Sequence, residues 1–447
     1  MRSSLALALT MTVGLGCGSG GGSSSTGGAG GQTSGGSTGG SSGGSTGGTG
    51  GSAGHASGGA AGGGGGGGGS SGGSAGQPSG GSTGGGGTTP RDAGTTTTDA
   101  GGIGAAGNPD GSCTAGVPAS GQPASISNPT VVGSGTAASC TFSALNTAVG
   151  KAGVIIFNCG SDAVTIPITA TMKLSISKDT VIDGGDKVTL DGGHAVQILN
   201  YNSPNFQATE TRVTLQHLAL VNGKTTPTEL IPPAPEAACS QGYDDGEGGA
   251  LYMRDGNLTV IDCIFTGNQA AQLGPDTGGG AIYITGSKHG AVIVGSTFTN
   301  NSGANAGAVG SLFAELDIYN SLFENNTATG HDANNNDSTM CSVMNNEQNE
   351  IGSGGNGGAI YGDGNSFNIT LCGDAVLDNA AGTKAFGGGL FFTSDDMMGV
   401  LTITDTTMTG NTGGHWTNVS SGSVTDVGSA IGVNAKSITV TNSTLQE

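Results

Sequence analysis

Short runs of alternating apolar and polar residues recur along the second part of the chain. They include LTVIDCIF at 258–265, AVIVGSTF at 291–298, LDIYNSLF at 316–323 and VLTITDTTM at 400–408. Runs rich in Val, Ile, Thr and Phe with a period of two are typical of β-strands. Because no run of good helix formers separates them, the pattern predicts short strands joined by turns and argues against alternating strands and helices.

Two short motifs recur among these runs in strict alternation, which indicates a repeat architecture. The first is Gly-Gly-Ala-aliphatic or a relaxed form of it, at 248–251, 279–282, 306–309, 357–360, 387–390 and 428–431. The second is an apolar residue followed three positions later by an asparagine; these are Asn222, Asn268, Asn301, Asn326, Asn379 and Asn411. The asparagines are 46, 33, 25, 53 and 32 residues apart. The widest spacings are predicted to be single turns of a solenoid that carry long loops.

Each motif has a physical role in a stacked coil of strands. The glycines permit backbone angles closed to other residues and let neighbouring turns approach closely. The apolar residue of the second motif is predicted to fill the core. Its asparagine is predicted to adopt the left-handed turn and to hydrogen-bond the equivalent asparagine one turn away, at about 4.8 Å. The six asparagines would then form a ladder.

The paired motifs resemble a known repeat, that of the polymorphic outer membrane proteins and of right-handed β-helix proteins of the pectin-lyase-like class. The resemblance covers 249–447 by motif and 125–447 by general pattern. It implies an all-β fold, a single-stranded right-handed parallel β-helix, and a location at the cell surface. It implies little about activity.

The front of this domain is predicted to carry a capping helix. Ser139 is a candidate N-cap for a helix whose apolar face is Phe142, Leu145 and Val149. Such a helix would cover the open end of the solenoid. Cys140 and Cys159 flank the helix and the first strand and are predicted to form a disulfide.

The first 110 residues differ in kind from the rest. Residues 1–17 are read as a signal peptide, and its last residue, Cys17, resembles the lipidated cysteine of bacterial lipoproteins. An ordinary signal peptide cut nearby is the alternative. Residues 18–110 are rich in Gly, Ser and Thr and are predicted to be a disordered stalk. The β-helix is assigned to 111–447.

Export and charge limit the classes of partner. A net charge of −20 argues against nucleic acid and peripheral membrane binding. The expected location is the outer membrane or cell surface as a lipoprotein, or secretion, with any membrane attachment through the lipid alone. Disulfides are permitted there. Without Cys17, seven of the eight cysteines remain, so at least one of them is free or paired outside the chain. A Cys239–Cys341 pair is one hypothesis; the competing one pairs Cys113 with either of them.

The long loops are predicted to leave one corner of the coil and to form a surface, here called the loop edge. It comprises 223–247, 269–278, 327–356, 380–386 and 412–427. Insertions on one face of a repeat protein commonly bind ligands. The candidate binding residues are Tyr243, Asp244, Asp245, Glu247, His331, Asp332, His415 and Trp416. Asp332, Asn334 and Asn336 have oxygen spacing that suits Ca²⁺, with a solvated polar loop as the alternative.

Two functional classes remain open. The favoured one is a displayed adhesion module that binds a glycan, a matrix component or another cell. The alternative is a polysaccharide lyase or glycoside hydrolase on the same scaffold. A lyase needs a basic residue beside an acidic group, and the basic residues of this chain do not cluster with one. A hydrolase needs paired carboxylates, and the Asp244-Asp245 pair lies in a loop with several prolines. No catalytic residue is therefore assigned. No cofactor is required by either class. The ligand and the oligomeric state are not specified by the sequence.

Overall fold

Consecutive turns of the chain add parallel strands to the same sheets. The computed structural model describes residues 102–231, 242–333, 352–414, 417–419 and 430–445. One α-helix of the described part, α1, spans Phe142–Lys151, and short 3₁₀ helices span Ala119–Gly121 and Ala137–Ser139. None of the described helices is long and apolar enough to cross a membrane.

The strands of the described part are short, as the alternating runs predict. They are β1 Thr130–Val132, β2 Gly153–Phe157, β3 Val164–Pro167, β4 Met172–Lys173, β5 Thr180–Asp191, β6 Leu199–Asn202, β7 Arg212–Val221, β8 Leu251–Arg254, β9 Asn257–Ile261, β10 Ile264–Thr266, β11 Ile282–Thr285, β12 Ala291–Val294, β13 Thr297–Thr299, β14 Ser302–Gly303, β15 Val309–Leu312, β16 Leu316–Tyr319, β17 Leu322–Glu324, β18 Thr327–Ala328, β19 Ile360–Gly364, β20 Asn368–Cys372, β21 Ala375–Leu377, β22 Leu390–Ser394, β23 Val400–Thr404, β24 Thr407–Thr409, β25 Thr417–Val419, β26 Ile431–Ala435, β27 Ser437–Thr441 and β28 Thr444–Leu445.

The pairing of these strands identifies a parallel β-helix. A nine-stranded sheet takes β4, β6, β8, β11, β15, β19, β22 and β26 in chain order, with β25 at its end. A large, 17-stranded sheet takes two strands, or the two halves of one long strand, from each complete turn. Neighbouring strands in both sheets are parallel and one turn of the chain apart, for example β8 beside β11 and β9 beside β12. The predicted all-β solenoid is therefore confirmed.

The apolar residue of the second motif fills the core, as predicted. Phe265, Phe298 and Phe323 occupy one register position on three successive turns. Their rings stack with centroids 4.8 and 4.7 Å apart and planes within 3° of parallel. This is the spacing of neighbouring strands, so the backbone hydrogen bonds and the ring stack reinforce the same register.

The asparagine ladder has five members of the predicted six. Asn268, Asn301, Asn326, Asn379 and Asn411 are buried, and the Oδ1 of each member after Asn268 accepts from both N and Nδ2 of the one before it, at 2.9–3.0 Å. Asn222 is outside the ladder. Leu220 pairs with Phe265, so Gly223 stands opposite Asn268 and its backbone N–H donates to the Oδ1 of Asn268.

The left-handed turn also falls one residue earlier than predicted. Asn222, Gly267 and Asn300 precede the ladder position and have φ of 54°, 67° and 56°. The ladder asparagines themselves have ordinary negative φ, because their side chains must point inward to meet one another. Asn222 bonds Asp191 through its Nδ2 at 3.0 Å instead.

The two glycines of the first motif have different roles. Gly279 has a φ of 63°, which a side chain would strain. At Gly280 the neighbouring turn leaves no room for a side chain, because a Cβ there would lie 2.1 Å from the carbonyl oxygen of Gly307 on that turn. Ala281 and Ile282, which follow, are fully buried and begin β11.

The capping helix is present, but its N-cap is Thr141 and not Ser139. The Thr141 side chain accepts a hydrogen bond from the Ala144 backbone N–H at 3.2 Å. Ser139 ends a 3₁₀ turn, and its Oγ accepts from Ser134 instead. Leu145 and Val149 are buried against β1 and β4, the first strands of the two sheets. The helix thus covers the start of the solenoid.

The predicted boundary between stalk and solenoid at residue 110 is too late in the chain. The Ile103 N–H donates to Asp186 O at 2.8 Å, and the Asn108 N–H donates to Asn320 O at 2.9 Å. These contacts use backbone groups, so they leave no recognisable pattern of side chains in a Gly-rich sequence. Cys17 and the stalk up to residue 101 lie outside the described residues.

Candidate functional site: the loop edge and the aromatic column

The described ends of the long loops leave from one column of the solenoid. After each ladder position the chain makes a short parallel contact with the next turn, through Lys224 with Gln269, Gln269 with Ser302, Thr327 with Ala380, and Ala380 with Thr412. The loops follow this contact and end at the Gly-Gly motif that enters the nine-stranded sheet. The loop edge is therefore built on a regular scaffold that fixes the described ends of its loops.

Loops from different turns bond to one another. The Tyr243 N–H donates to Leu273 O at 3.0 Å, and the next residue in that loop, Gly274, donates to Ser353 O at 3.0 Å. The Ala271 N–H donates to Gly246 O at 2.7 Å. The described parts of three loops that are distant in sequence are thus hydrogen-bonded to one another. Backbone that is already held in this way lowers the entropic cost of binding a partner.

The exposed part of the loop edge mixes apolar and acidic side chains. Leu230 is 62% exposed and Leu273 is 38% exposed. Asp244 and Asp276 are exposed beside them in the same loops, and Tyr243 is partly buried. This part of the loop edge therefore offers both apolar and acidic groups to a partner.

Asp245 stabilises the loop that carries it. Its Oδ1 accepts from the backbone N–H groups of Thr228 and Glu229 at 2.8 and 2.7 Å. Its Oδ2 accepts from the Thr228 hydroxyl at 3.0 Å. The carboxylate therefore holds the two arms of loop 223–247 together.

Asp332 lies in a small ion-pair cluster. His331 Nδ1 is 2.6 Å from one Asp332 oxygen, and Lys384 Nζ is 3.3 Å from the other. The hydrogen bond with His331, with Lys384 beside it, lowers the pKa of the Asp332 carboxyl. In the described part of the chain no three His, Cys, Asp or Glu residues are grouped as a metal site requires. Asn334 and Asn336, the other two predicted calcium ligands, lie outside the described residues, as do the side chains of His415 and Trp416.

An aromatic column runs along the outer face of the nine-stranded sheet, beneath the loop edge. Tyr252, Tyr283, Tyr361 and Phe391 share one register position, with Gly310 between the second and third tyrosines. Tyr361 and Phe391 stack at 5.4 Å. This column was not predicted from the sequence. The alternation in LYMR, IYIT and LFFTS puts an aromatic residue at the outward position next to a core residue, and this pattern could have predicted the column.

Two tyrosine hydroxyls tie this column to its surroundings. The Tyr283 hydroxyl donates to the backbone oxygen of Asp276 in the loop edge at 2.6 Å. The Tyr361 hydroxyl donates to the carboxylate of Asp363 at 2.7 Å. Tyr283 and Tyr361 are almost fully buried, whereas Tyr252 keeps part of its surface open. The column thus supports the loops and offers one partly open ring at its N-terminal end.

Glu247 lies where the loop edge meets this open ring. It stands between Gly246 and Gly248, whose φ values are 102° and 60°. Its carbonyl oxygen accepts from Gln197 Nε2 at 3.0 Å and from the Thr225 hydroxyl at 3.1 Å, which fixes the backbone. Burial raises the pKa of the Glu247 carboxyl to about 7. Near neutral pH this group is therefore able to accept or to donate a proton.

The structure shows the state of five of the cysteines. Cys140 and Cys159 form a disulfide, the pair expected from the sequence. Cys113 bonds Cys372, so its hypothesised pairing with Cys239 or Cys341 is wrong. Cys263 is free and buried. Cys239 and Cys341 lie outside the described residues.

Two comparisons with known proteins found no relative. No protein-family model matches the chain, and no curated protein matches it significantly in sequence.

Proposed function

We propose that the chain is a displayed adhesion module that binds a glycan or a matrix component through its loop edge. The observation that carries this proposal is the hydrogen bonding between loops, of Tyr243 to Leu273 and of Gly274 to Ser353. Regular turns of a solenoid do not need long loops, and the described ends of three of these loops are hydrogen-bonded to one another. Ordered insertions on one face of a repeat protein are the usual site of recognition.

Several features support an exported, surface-attached protein. The disulfides Cys113–Cys372 and Cys140–Cys159 are typical of proteins outside the reducing cytosol. The sequence at Cys17 favours a lipid anchor. The Gly-Gly-Ala motif begins strands of the nine-stranded sheet, and the second motif ends strands of the large sheet, as expected for repeats of the polymorphic outer membrane protein type on a right-handed, pectin-lyase-like helix.

Binding to a glycan array, followed by binding to immobilised matrix proteins, tests this proposal. The informative variant is Asp244→Ala with Leu273→Ala, because both side chains are exposed on the loop edge and neither supports the core. It should lower affinity at least tenfold with an unchanged far-ultraviolet circular dichroism spectrum. The matched control is Phe206→Ala with Glu210→Ala, two exposed residues in the loop before β7. Equal binding by both double variants would reject the loop edge as the contact surface.

A glycoside hydrolase is the second candidate, and Glu247 is the observation that favours it. A general acid at neutral pH needs a carboxyl whose pKa is raised by burial, and a second carboxylate nearby completes the reaction. Asp244 on the same loop is available for that second role. Release of reducing ends from array-positive glycans would support this candidate if Glu247→Gln abolished it and left binding intact. Turnover that survives Glu247→Gln would exclude Glu247 as the acid.

A further inference from the structure

Residues 102–124, here called the strap, cross successive turns of the solenoid from the outside. The Ile103 N–H donates to Asp186 O at 2.8 Å, and the Asn108 N–H donates to Asn320 O at 2.9 Å. Farther along, the Thr114 hydroxyl donates to Asp405 Oδ2 at 2.7 Å. Asp186, Asn320 and Asp405 all have positive φ and mark the same corner of the large sheet on different turns. The first half of the strap therefore runs from an early turn toward a late one.

The second half of the strap returns toward the start of the solenoid. The Ser120 oxygen accepts from the Thr259 hydroxyl at 3.4 Å, and the Ala124 N–H donates to Gln216 Oε1 at 2.8 Å. This half covers an apolar part of the large sheet's outer face. Ile261 and Val292 lie at outward positions, yet they are only 2% and 5% exposed. The strap is thus a folded part of the domain.

A covalent bond holds the strap at its farthest point. Cys113 pairs with Cys372 across a sequence separation of 259 residues. Cys372 ends β20, a strand that is hydrogen-bonded to β16 on one side and to β23 on the other. The Cys113 N–H also donates to the side chain of Asn320 at 2.9 Å. The junction is therefore anchored in the interior of the large sheet and not at its end.

This geometry decides where a pull on the N-terminal side of the chain is transmitted. Tension at residue 102 first meets the contact of Ile103 and then the small group of hydrogen bonds at Gly107 and Asn108, and contacts loaded in sequence give way in sequence. At Cys113 the tension passes through the disulfide into β20. Residues 114–371, with α1 and the earlier turns, then carry none of it.

We propose that Cys113–Cys372 is a mechanical clamp that transfers load from the N-terminal tether directly to the turn that carries Cys372. The proposal rests on the proposed function in one respect, since it requires that the tether bear load when the module is bound. The clamped turn belongs to the same region as the described loop residues 352–356 and 380–386. Tension between tether and partner thus takes a short path through the fold.

Force spectroscopy on the full mature chain, held at its two ends, tests the clamp without any ligand. The oxidised protein should unfold to an extension about 900 Å shorter than the same protein in a phosphine reductant, from 259 sequestered residues at roughly 3.3–3.6 Å each. The other described disulfide, Cys140–Cys159, lies inside this segment and accounts for only 19 of its residues, or about 65 Å of the difference, so the two reductions are distinguishable. In the oxidised chain the first N-terminal event should stop at Cys113; after reduction it should continue through the strap.

Two variants complete the test. Cys113→Ser with Cys372→Ser should extend as the reduced protein does, less the about 65 Å that the remaining Cys140–Cys159 disulfide holds back. Cys263→Ser should behave as the oxidised wild type does, because Cys263 is unpaired and its neighbours along the solenoid are Ser296 and Ser321. If the double variant does not fold, reduction of the folded wild type gives the same comparison. Equal extensions before and after reduction would overturn the clamp. Absence of glycan binding would reject the adhesion proposal and would not affect the clamp, which is tested without ligand.

Discussion

Asn326 donates a hydrogen bond from its Nδ2 to the Oδ1 of Asn379 at 2.9 Å, although the two positions are 53 residues apart in the chain. The two side chains lie on neighbouring turns of the solenoid. The chain between them is therefore one turn, in which the loop at 327–356 precedes β19, β20 and β21. The ladder keeps the register of the core while the loop edge varies in length.

Loss of a ladder side chain should destabilise the solenoid strongly. Asn326 also donates to Phe298 O at 2.9 Å and accepts from N and Nδ2 of Asn301. Asn326→Gly leaves these buried groups without partners, so the free energy of unfolding should fall by roughly 2–4 kcal/mol. Chemical denaturation measures the change.

The same substitution at Asn222 is the matched control. Asn222 has a φ of 54° outside the ladder, and its counterparts on later turns include Gly267 and Gly410. Asn222→Gly should therefore change the free energy of unfolding by less than about 1 kcal/mol. Equal losses at 222 and 326 would mean that the ladder bonds contribute little.

A methyl group should be tolerated very differently at two glycines. At Gly280 a Cβ would meet the Gly307 carbonyl oxygen at 2.1 Å and the Ser302 nitrogen at 2.5 Å, and both are backbone atoms that cannot turn away. Gly280→Ala should lower the free energy of unfolding by at least about 3 kcal/mol. At Gly150 in α1 nothing lies within 4 Å, so Gly150→Ala should raise it by about 0.5–1 kcal/mol. A neutral result at 280 would show that the turns are farther apart than described.

The fold was predictable because the motifs repeat and each repetition has a physical reason. Phe265, Phe298 and Phe323 were assigned to the core from spacing alone, and the stack confirms it. The errors came from choices between neighbours of similar chemistry. Ser139 and Thr141 are both good N-cap residues, and LALVNG permits a register one residue either way at Asn222. Tertiary contacts, which the local sequence does not contain, decide between them.

The strap and a second polar column were missed for different reasons. Apart from its disulfide the strap is held largely through backbone groups, and its composition resembles that of the stalk before it. The second column did leave a signal. Ser296, Ser321 and Asp374 each stand two residues before the apolar residue of the second motif, and each accepts a backbone hydrogen bond from the preceding turn. Side chains of the loop edge could be proposed from the sequence, and the aromatic column beneath them also left a signal, in the outward positions of LYMR, IYIT and LFFTS.

Cys263 should be inert in the native protein despite being a free thiol. It occupies the second polar column, is fully buried, and its Sγ lies 3.2 Å from Ile261 O. Burial raises the pKa of the Cys263 thiol to about 12, so almost no thiolate is present at pH 8. Iodoacetamide should label the peptide containing Cys263 only after denaturation, as read by mass spectrometry. Rapid labelling of the native protein at this peptide would contradict the described burial.

Asp374 should make stability depend on pH, and threonine should remove that dependence. Asp374 is fully buried, with Oδ1 accepting from Ser321 N at 2.7 Å and Oδ2 from Cys372 N at 2.9 Å. These donors favour the ionised form, but desolvation prevails and raises the pKa of Asp374 to about 8, from an ordinary value near 3.8. Because the folded pKa is the higher one, the contribution of this carboxyl to stability is fully present below about pH 4. It declines as pH rises and is lost above pH 8.

Threonine suits the same position, since Thr406 on the next turn accepts from the Asp374 N–H and donates to Thr404 O at 2.9 Å. Asp374→Thr should therefore gain stability relative to the wild type as pH rises from 5 to 9. Denaturation midpoints of both proteins at pH 5, 7 and 9 measure this, and the comparison cancels the groups that the two proteins share. A constant difference across that range would show that Asp374 is ionised in the folded protein, and that its two backbone donors outweigh the desolvation.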